Sequence, residues 1–260
     1  MKSTLKKLVR TGQTRFPGFL DAKFAIMRRY RNALGIPFER DFRALRLFPD
    51  QPDALYLDVG ANRGQSTDAI LMTTRRSRIQ LFEPNPLLWE KLERQYAGNP
   101  RVVIHKVGLG DAPSDQVLHI PFYKQWMFDG LSSFDEAKAR NWLKGRIFGF
   151  RDEDLTVRKV PCHIRTLDDF QLDPFFLKLD IQGYEYQALR GAEATIRRSE
   201  PIVLLESPSD EIFAFLKRCG YQHYAFKGDT FVPGARGEMN TFLMTQSKVA
   251  LIPRHIARAG

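Results

Sequence analysis

Short apolar runs alternate with amphipathic stretches along most of the chain from residue 54 onward. The runs "ALYLDVG", "RIQLFEPNP" and "RVVIHKVGLGD" indicate buried strands, and the stretches "QSTDAILMTTR" and "LLWEKLERQYA" between them have the apolar spacing of helices. The alternation resumes at "PFFLKLDIQGYEYQALRGAEATIRRSE" and continues through "PIVLLES" and "SDEIFAFLKRCG". Strands that alternate with helices of about ten residues predict a parallel sheet with helices on both faces.

The last strands are expected to depart from the parallel arrangement. The segments "YQHYAFKG" and "TFLMT" are joined by the turn-rich stretch "DTFVPGARGEMN", which predicts a hairpin-like antiparallel edge. With the earlier runs, the pattern gives about seven strands. We therefore predict an α/β fold, built on a Rossmann-like, seven-stranded and mostly parallel sheet with helices on both faces and a helical extension at the N-terminus.

Two regions lie outside this alternation. Residues 1–50 predict one or two amphipathic helices around "FLDAKFAIMRRYRNALGI". Residues 112–165 contain two strand-like pieces, "QVLHIPFY" and "LTVRKVPCHI", around a polar segment rich in Trp and Phe. The predicted organisation is a basic helical extension (1–50), a main domain (51–245) with an insertion (112–165), and a basic C-terminal tail (246–260).

The charge is concentrated at the two ends of the chain. Residues 1–50 hold 12 Lys and Arg against 4 Asp and Glu, and residues 246–260 hold three basic residues and no acidic ones. Since the whole chain has a net charge of +10, the remaining body is close to neutral. Basic ends of this kind are typical of contact with an anionic membrane surface, nucleic acid or a polyanionic glycan, and equally of solvated helix faces.

The composition also indicates the cellular compartment in which the protein is expected. No apolar run approaches the ~18 residues that a membrane span needs, and the basic start "MKSTLKKLVR" is not followed by the apolar stretch of a secretory signal. Two cysteines, Cys162 and Cys219, are too few for a disulfide framework or a thiolate zinc site. We therefore expect a cytoplasmic protein. Nothing in the sequence indicates an oligomeric state.

The first stretch that carries chemistry is "LYLDVGANRGQ". A buried strand delivers Asp58 at its end, and Gly60 and Gly64 allow a tight turn into the next helix, where ligands bind in open α/β sheets. With Asn62 between the glycines, the spacing is not that of a pyrophosphate loop. The Asp58 carboxylate can bind an ammonium group, and backbone N–H groups at the start of the helix can bind a carboxylate. The methionine part of S-adenosylmethionine carries both groups. The alternative is a turn that needs glycine only for its geometry.

Two further acidic residues extend this predicted cofactor site. Glu83 ends the second strand, 25 residues after Asp58, where an acidic side chain accepts hydrogen bonds from ribose hydroxyls. Asp111 follows the third strand and is predicted to reach the adenine amine. The alternative for both Glu83 and Asp111 is that the residue only forms part of a turn and binds no ligand.

A second group of carboxylates is predicted on the acceptor side. Asp180 and Glu206 end neighbouring strands after the insertion, and two carboxylates there suit the removal of a substrate hydroxyl proton or the binding of a cation. The alternatives are that Asp180 caps the following helix and that Glu206 pairs with an arginine. His105 and His163 are reserve candidates for the base. No pair of histidines has metal-ligand spacing.

In this order, "DVGANRGQ", "FEPNP", "RTLDDF", "LKLDIQGYEYQALRG" and "IVLLE" resemble the motifs of the FkbM family of S-adenosylmethionine-dependent methyltransferases. The resemblance covers about residues 54–245. It implies a class I methyltransferase fold, whose last strand is antiparallel, and methylation of a hydroxyl on a sugar or polyketide. It places Asp58, Gly60, Asn62 and Glu83 at cofactor-binding positions and Asp180 in the crevice.

One position departs from the family pattern: Gln182 stands where the family commonly has Glu, which disfavours a metal held by that acidic cluster, and we assign no metal ligands. In the insertion, Ser132 and Ser133 are candidates for hydrogen bonds to a sugar. The insertion also holds an aromatic cluster that either stacks on a sugar ring or closes a core of its own. Its members are Trp126, Phe128, Trp142, Phe148 and Phe150.

The function predicted from these observations is methyl transfer from S-adenosylmethionine to a hydroxyl of a sugar, a glycan or a natural product. One alternative is a nucleic-acid methyltransferase that uses the basic ends. Against it, the segment "IQGYE" lacks the Asn/Asp-Pro-Pro-aromatic sequence associated with attack by exocyclic amines. The other is a non-catalytic binding protein on the same fold, and the intact cofactor motifs argue against it.

Overall fold

The structure is a computed structural model that describes residues 2–257. The helices are α1 (Lys2–Gln13), α2 (Leu20–Leu34), α3 (Gln65–Thr73), α4 (Pro86–Tyr96), α5 (Glu136–Asn141), α6 (Glu185–Arg190), α7 (Glu193–Ser199), α8 (Asp210–Arg218) and α9 (Gln246–Val249). The strands are β1 (Leu55–Val59), β2 (Arg78–Phe82), β3 (Val102–His105), β4 (Gly108–Leu109), β5 (Ser114–Tyr123), β6 (Trp126–Met127), β7 (Leu155–Arg165), β8 (Pro174–Leu179), β9 (Ile202–Glu206), β10 (Gln222–Lys227), β11 (Thr230–Pro233) and β12 (Asn240–Met244).

The main sheet has the order β11-β10-β12-β9-β8-β1-β2-β3. Strands β3, β2, β1, β8 and β9 are parallel, and β12, β10 and β11 add antiparallel pairs at one edge. The predicted Rossmann-like, mostly parallel sheet with an antiparallel edge is confirmed, with eight strands rather than seven. The eighth is β11, which lies in a stretch predicted to be a turn and buries Phe231 against Phe226 and Phe242.

Helices cover both faces of this sheet, as predicted. Helices α6, α7 and α8 pack on the face that carries Leu57, Leu177 and Val203. The opposite face carries Tyr56 and is covered by α3 and by a 3-10 helix at Arg40–Leu47. Because both faces are covered, all five residues of β1 are buried.

The insertion forms a second sheet with the order β4-β7-β5-β6. Its main part is the long antiparallel pair of β5 and β7. The run "RVVIHKVGLGD", predicted as one strand, is divided between the two sheets. Strand β3 pairs with β2, whereas Gly108 and Leu109 of β4 pair with Ile164 and Arg165. Strands β3 and β4 are therefore distinguished by their pairing partners, which the local pattern of hydrophobic residues does not show.

The two ends of the chain are helical where the structure describes them. The predicted N-terminal extension contains α1, α2 and the 3-10 helix, and the predicted C-terminal tail begins with α9. Residue 1 and residues 258–260, which belong to these predicted segments, lie outside the described residues. Among residues 2–257, no helix combines the length and the apolar character needed to cross a bilayer.

Candidate active site

The carboxyl ends of β1, β2 and β8 meet around a cavity of about 80 Å³. Four of the residues predicted to bind the cofactor or remove the proton line it: Gly60, Asn62, Glu83 and Asp180. The chain leaves the sheet centre after β1 toward β2 and β3, and it returns on the other side of β1 with β8. The cavity therefore lies at the switch point of the sheet, where open α/β folds bind their ligands.

Five residues of the 129–134 segment of the insertion also line this cavity: Asp129, Gly130, Phe134 and the predicted sugar contacts Ser132 and Ser133. Ligand pockets in proteins commonly measure about 300–1,000 Å³, so the enclosed space is small for a nucleoside-sized ligand. Residues 129–134 follow the short strand β6 and form a 3-10 turn at Asp129–Leu131.

The turn after β1 brings three strand ends together. Gly60 has a φ of +77°, and a Cβ atom there would overlap the carbonyl oxygen of Asp180. Its N–H group donates to the carbonyl of Phe82 at 2.9 Å. Glycine is therefore required at this position both by the left-handed backbone and by the close approach of β8.

Glu83 is buried at the end of β2, with its carboxylate at the cavity. One carboxylate oxygen accepts from the backbone N–H of Asn62 at 2.7 Å, and the other accepts from that of Asn85 at 2.8 Å. Burial raises the pKa of Glu83 to about 7, although both backbone bonds act to lower it. The Asn62 side chain adds a free acceptor, because its buried Oδ1 has no hydrogen-bond partner among residues 2–257.

The Asp58 carboxylate has a different environment from the one predicted. It is fully buried and accepts from the hydroxyls of Ser66 at 2.7 Å and Thr67 at 2.6 Å. The ammonium group of Lys178 lies 3.4 Å away. Side chains alternate along a strand, so Asp58 shares the face of Tyr56, which α3 covers. The predicted direct contact with a ligand ammonium is therefore replaced by contacts inside the protein.

Two other predicted cofactor positions also lie away from the cavity lining. Gly64 begins α3 with a φ of +79°, and a Cβ atom there would overlap the Tyr96 hydroxyl, so its glycine serves helix packing. Asp111 lies 3.5 Å from Arg190 and is exposed. It follows β4, which pairs with β7 in the second sheet, and this pairing carries the residue away from β3.

Asp180 and Glu206 lie beside each other at the ends of β8 and β9, as predicted. Asp180 lines the cavity and accepts from the Gln182 side chain at 3.0 Å. Glu206 is exposed at the tip of β9, and partial burial, together with the neighbouring carboxylates of Asp180 and Glu39, raises its pKa to about 7. Glu206 does not line the cavity within the described part of the chain. The two carboxylates form a pair in which only Asp180 faces the enclosed space.

The reserve bases are not placed at the cavity. His105 lies 2.7 Å from the Gln80 side chain and stacks on Phe82, and burial lowers its pKa. His163 is exposed beside Asp115 at 2.6 Å, on the second sheet. No group of three or more metal-ligating side chains is found among residues 2–257.

The predicted aromatic cluster packs with other side chains. Trp142, Phe128 and Phe150 surround a small core in the insertion. The guanidinium of Arg10 lies over the Trp142 ring at 4.9 Å, and the ammonium of Lys7 lies over Phe148 at 4.6 Å. These rings therefore connect the insertion to α1.

Lys178 and Arg63 are buried charged residues beside the site that were not predicted from the sequence. Lys178 is buried and lies 3.6 Å from Asp180 as well as near Asp58, and its only sequence signal is a lysine within the apolar run "FFLKLD". Arg63 is buried and forms ion pairs with Asp129, at the cavity, and with Asp21, at the start of α2. No local pattern in the sequence connects these three residues.

Comparison with known proteins identifies one family. The sequence model of the "Methyltransferase FkbM domain" matches residues 58–223. The chain is also similar to the AMB antimetabolite synthetase AmbE of Pseudomonas aeruginosa, at 29% identity over 182 residues. That match covers 59% of this chain, and the chain spans only 8% of the length of that relative.

Three solved structures are similar at low identity. The methyltransferase FkbM of Methylobacillus flagellatus has a TM-score of 0.46 at 18% identity, over 74% of this chain and 43% of that one. The precorrin-6y C5,15-methyltransferase of Geobacter metallireducens has a TM-score of 0.38 at 15% identity, over 79% and 87%. An rRNA methylase of Streptococcus thermophilus has a TM-score of 0.37 at 12% identity, over 79% and 92%.

Proposed function

The chain belongs to the FkbM methyltransferase family, as its motifs predict, and we propose that it transfers a methyl group from S-adenosylmethionine to a hydroxyl oxygen of a sugar, a glycan or a natural product. The observation that carries this proposal is the buried Glu83 carboxylate, which borders the cavity at the end of β2. The similarity to a segment of an antimetabolite synthetase favours a natural product among these acceptors.

The residues at the cavity fit this cofactor. The Glu83 carboxylate can accept hydrogen bonds from the two ribose hydroxyls, and the free Oδ1 of Asn62 offers a further acceptor. Gly60 allows the end of β8 to pack against this turn, which brings Asp180 to the same cavity as Glu83. When bound, the cofactor supplies a methyl carbon that its sulfonium sulfur makes electrophilic. Alignment of the reacting atoms can then contribute roughly 7–11 kcal/mol in favourable cases.

Asp180 and Glu206 are our candidates for removing the acceptor's proton. An alcohol must lose its proton at or after attack, and a carboxylate with a pKa near the working pH serves this best. The pKa of Glu206 is raised to about 7 by burial and by its acidic neighbours, and Asp180 connects it to the cavity. In this proposal Asp180 accepts the proton and shares it with Glu206, while Lys178 offsets part of the repulsion between the carboxylates.

The cofactor is tested first, by calorimetric titration of the full chain with S-adenosylmethionine. Glu83→Ala should weaken binding at least tenfold, because it removes the acceptor of two hydroxyl groups. Glu90→Gln, a change at an exposed carboxylate on α4, is the matched control and should bind like the wild type. Absence of binding by folded wild-type protein would contradict the proposal.

The acceptor is tested by transfer of a tritiated methyl group from the cofactor to fractionated cell material. Label in the glycan or small-molecule fraction that is stable to mild base excludes a methyl ester, and identification of the labelled group as a methyl ether supports O-methylation. Label in the nucleic-acid fraction that nuclease digestion releases supports the alternative function. Asp180→Asn should retain cofactor binding and lose transfer, and a variant that keeps full transfer would remove Asp180 from the mechanism.

We also place this reaction in the cytoplasm. The proposal is supported by the two cysteines, Cys162 and Cys219, which are both free. It predicts that protease added to intact cells of the native host leaves the chain uncut, whereas the same protease digests it after lysis.

A further inference from the structure

Exposed apolar side chains are concentrated on the N-terminal helices. Of the 16 large hydrophobic side chains that are exposed among the described residues, 11 lie between Leu5 and Phe38. On α1, the exposed residues Leu5, Leu8 and Val9 have the i, i+3, i+4 spacing of one helix face. Isolated exposed apolar residues are normal on protein surfaces, but a concentration of this kind marks an interaction site.

Helix α2 has the same property. Ile26, Tyr30 and Leu34 recur every four residues and are 53–60% exposed. A different side of the helix faces the protein, where Leu20 is buried and Arg28 donates to Asp68 at 2.6 Å. The exposed stripe is therefore not required to attach α2 to the body.

Basic side chains flank these apolar faces. Lys6, Arg15 and Arg29 are exposed, and none of them pairs with a carboxylate within residues 2–257. Residues 1–50 hold 12 Lys and Arg against 4 Asp and Glu, whereas the body of the chain is nearly neutral. Lys and Arg beside Leu, Ile and Phe on a helix surface are typical of helices that lie in the interface of an anionic bilayer.

Other partners match these features less well. A nucleic acid would engage the basic side chains but leave the apolar stripes in water. A second copy would cover the stripes, but it would bring two strongly basic surfaces together. An anionic lipid surface accommodates both features at once, because apolar side chains enter the acyl boundary while Lys and Arg remain at the headgroups.

We propose that α1 and α2 form a docking surface for an anionic lipid membrane. The helices remain attached to the body while they dock. The Thr11 hydroxyl accepts from the N–H of Phe148 at 2.9 Å, and Arg28 holds α2 to Asp68. This proposal does not depend on the proposed methyl transfer, because it rests on the surface of the extension alone.

Sedimentation of the full chain with phosphatidylcholine vesicles, with and without about one quarter phosphatidylglycerol, tests the proposal. The wild type should bind the anionic vesicles much more strongly than the neutral ones, and added salt should weaken this binding. Two triple variants separate the contributions of the apolar and basic residues. They are Leu5→Ser/Leu8→Ser/Ile26→Ser and Lys6→Gln/Arg15→Gln/Arg29→Gln.

Each triple variant has a matched control with comparable changes at exposed residues elsewhere. The controls are Val103→Ser/Val117→Ser/Met239→Ser and Lys217→Gln/Lys227→Gln/Arg254→Gln. The basic triple variant should lose about fivefold in vesicle partitioning per charge removed, and the apolar triple variant at least tenfold in total. The controls should stay within about twofold of the wild type, apart from the general effect of net charge.

Several results would overturn the proposal. One is a wild type that does not bind anionic vesicles at low salt. Another is an equal loss of binding in the controls and in the triple variants. A third is a dimer, detected by analytical ultracentrifugation without vesicles, that the apolar triple variant abolishes, since the stripes would then be a self-interface. Duplex DNA binding that the basic triple variant abolishes, without vesicle binding, would identify nucleic acid as the partner.

Discussion

The ammonium group of Lys178 lies 3.4 Å from a carboxylate oxygen of Asp58, and both side chains are buried between the main sheet and α3. The two residues are direct neighbours across the parallel pair of β1 and β8. Burial alone lowers the pKa of Lys178, but Asp58, Asp180 and Glu39 together raise it above its ordinary value. The lysine therefore remains charged and neutralises part of an acidic strand-end region.

Lys178→Met should destabilise the fold by about 3–5 kcal/mol, because it leaves a buried carboxylate without its counter-charge. Urea unfolding followed by circular dichroism measures this loss. The double variant Asp58→Asn/Lys178→Met should recover part of it, since no buried charge then remains at this pair. A single variant that loses less than about 1 kcal/mol would show that the Ser66 and Thr67 hydroxyls satisfy Asp58 by themselves.

Gly60 and Gly98 have nearly equal backbone φ angles. A comparison of their alanine variants therefore separates the cost of backbone strain from the cost of steric overlap. Gly60 has a φ of +77° and no room for a Cβ atom beside the Asp180 carbonyl, whereas Gly98 has a φ of +74° and open space. Gly98→Ala should cost about 1–2 kcal/mol, the usual price of a left-handed alanine. Gly60→Ala should cost several kcal/mol in urea unfolding, since β8 must also move. Equal losses would contradict the close approach of β8.

The ion pairs of Arg63 give a second matched comparison. Arg63 and Asp129 are buried side chains, whereas the Asp21 side chain is 60% exposed. Arg63→Met should therefore lower the free energy of unfolding by about 3–5 kcal/mol, because Asp129 stays buried beside the cavity without its partner. Asp21→Asn should change it by less than about 1 kcal/mol. A larger loss of unfolding free energy for Asp21→Asn than for Arg63→Met, measured by thermal or urea unfolding, would contradict this. It would show that Arg63 stabilises the fold through its contact with α2 and not through Asp129.

The main features of the fold could be predicted because apolar runs and helical spacing are local signals. The strand–helix alternation from β1 to α4 and from β8 to α8 follows from them directly. The division of the third predicted run into β3 and β4 could not be predicted, because it depends on whether Gly108 pairs with β2 or with β7. The short strand β11 was missed for the same reason, since only its pairing with β10 distinguishes it from a turn.

The candidate site could be located from the sequence, but the direction of each side chain could not. Glycine and acidic residues at strand ends predict which strands meet, and Gly60, Glu83 and Asp180 do line one cavity. Strand β1 is buried on both faces, so its pattern does not indicate which face Asp58 occupies. Arg63 and Asp129 are 66 residues apart, and no local pattern predicts their contact.

Burial of Glu83 predicts a pH dependence of stability. The pKa of Glu83 is raised from 4.5 to about 7 in the folded protein, so folding favours its protonated form. This contribution is fully present below about pH 4.5 and is lost as the pH rises through about 7, with a size on the order of 3 kcal/mol. Chemical unfolding between pH 4.5 and 8 measures the slope. Glu83→Gln should reduce it, while Glu90→Gln should leave it unchanged.

Under the proposed function, the same carboxylate predicts the opposite trend for the binding of S-adenosylmethionine. Ribose hydroxyls donate hydrogen bonds, and an ionised carboxylate accepts them better than a protonated one. Because Glu83 titrates near pH 7 in the free protein, S-adenosylmethionine must displace its proton at lower pH. Affinity should therefore rise with pH and level off above about 7, with a slope of up to tenfold per pH unit below that value.

Calorimetry between pH 5.5 and 8.5 measures this pH dependence of the affinity, and Glu83→Gln should give weaker binding that hardly changes with pH. A wild-type affinity that falls as the pH rises would show that the protonated carboxyl is the binding form and would assign Glu83 the role of hydrogen-bond donor.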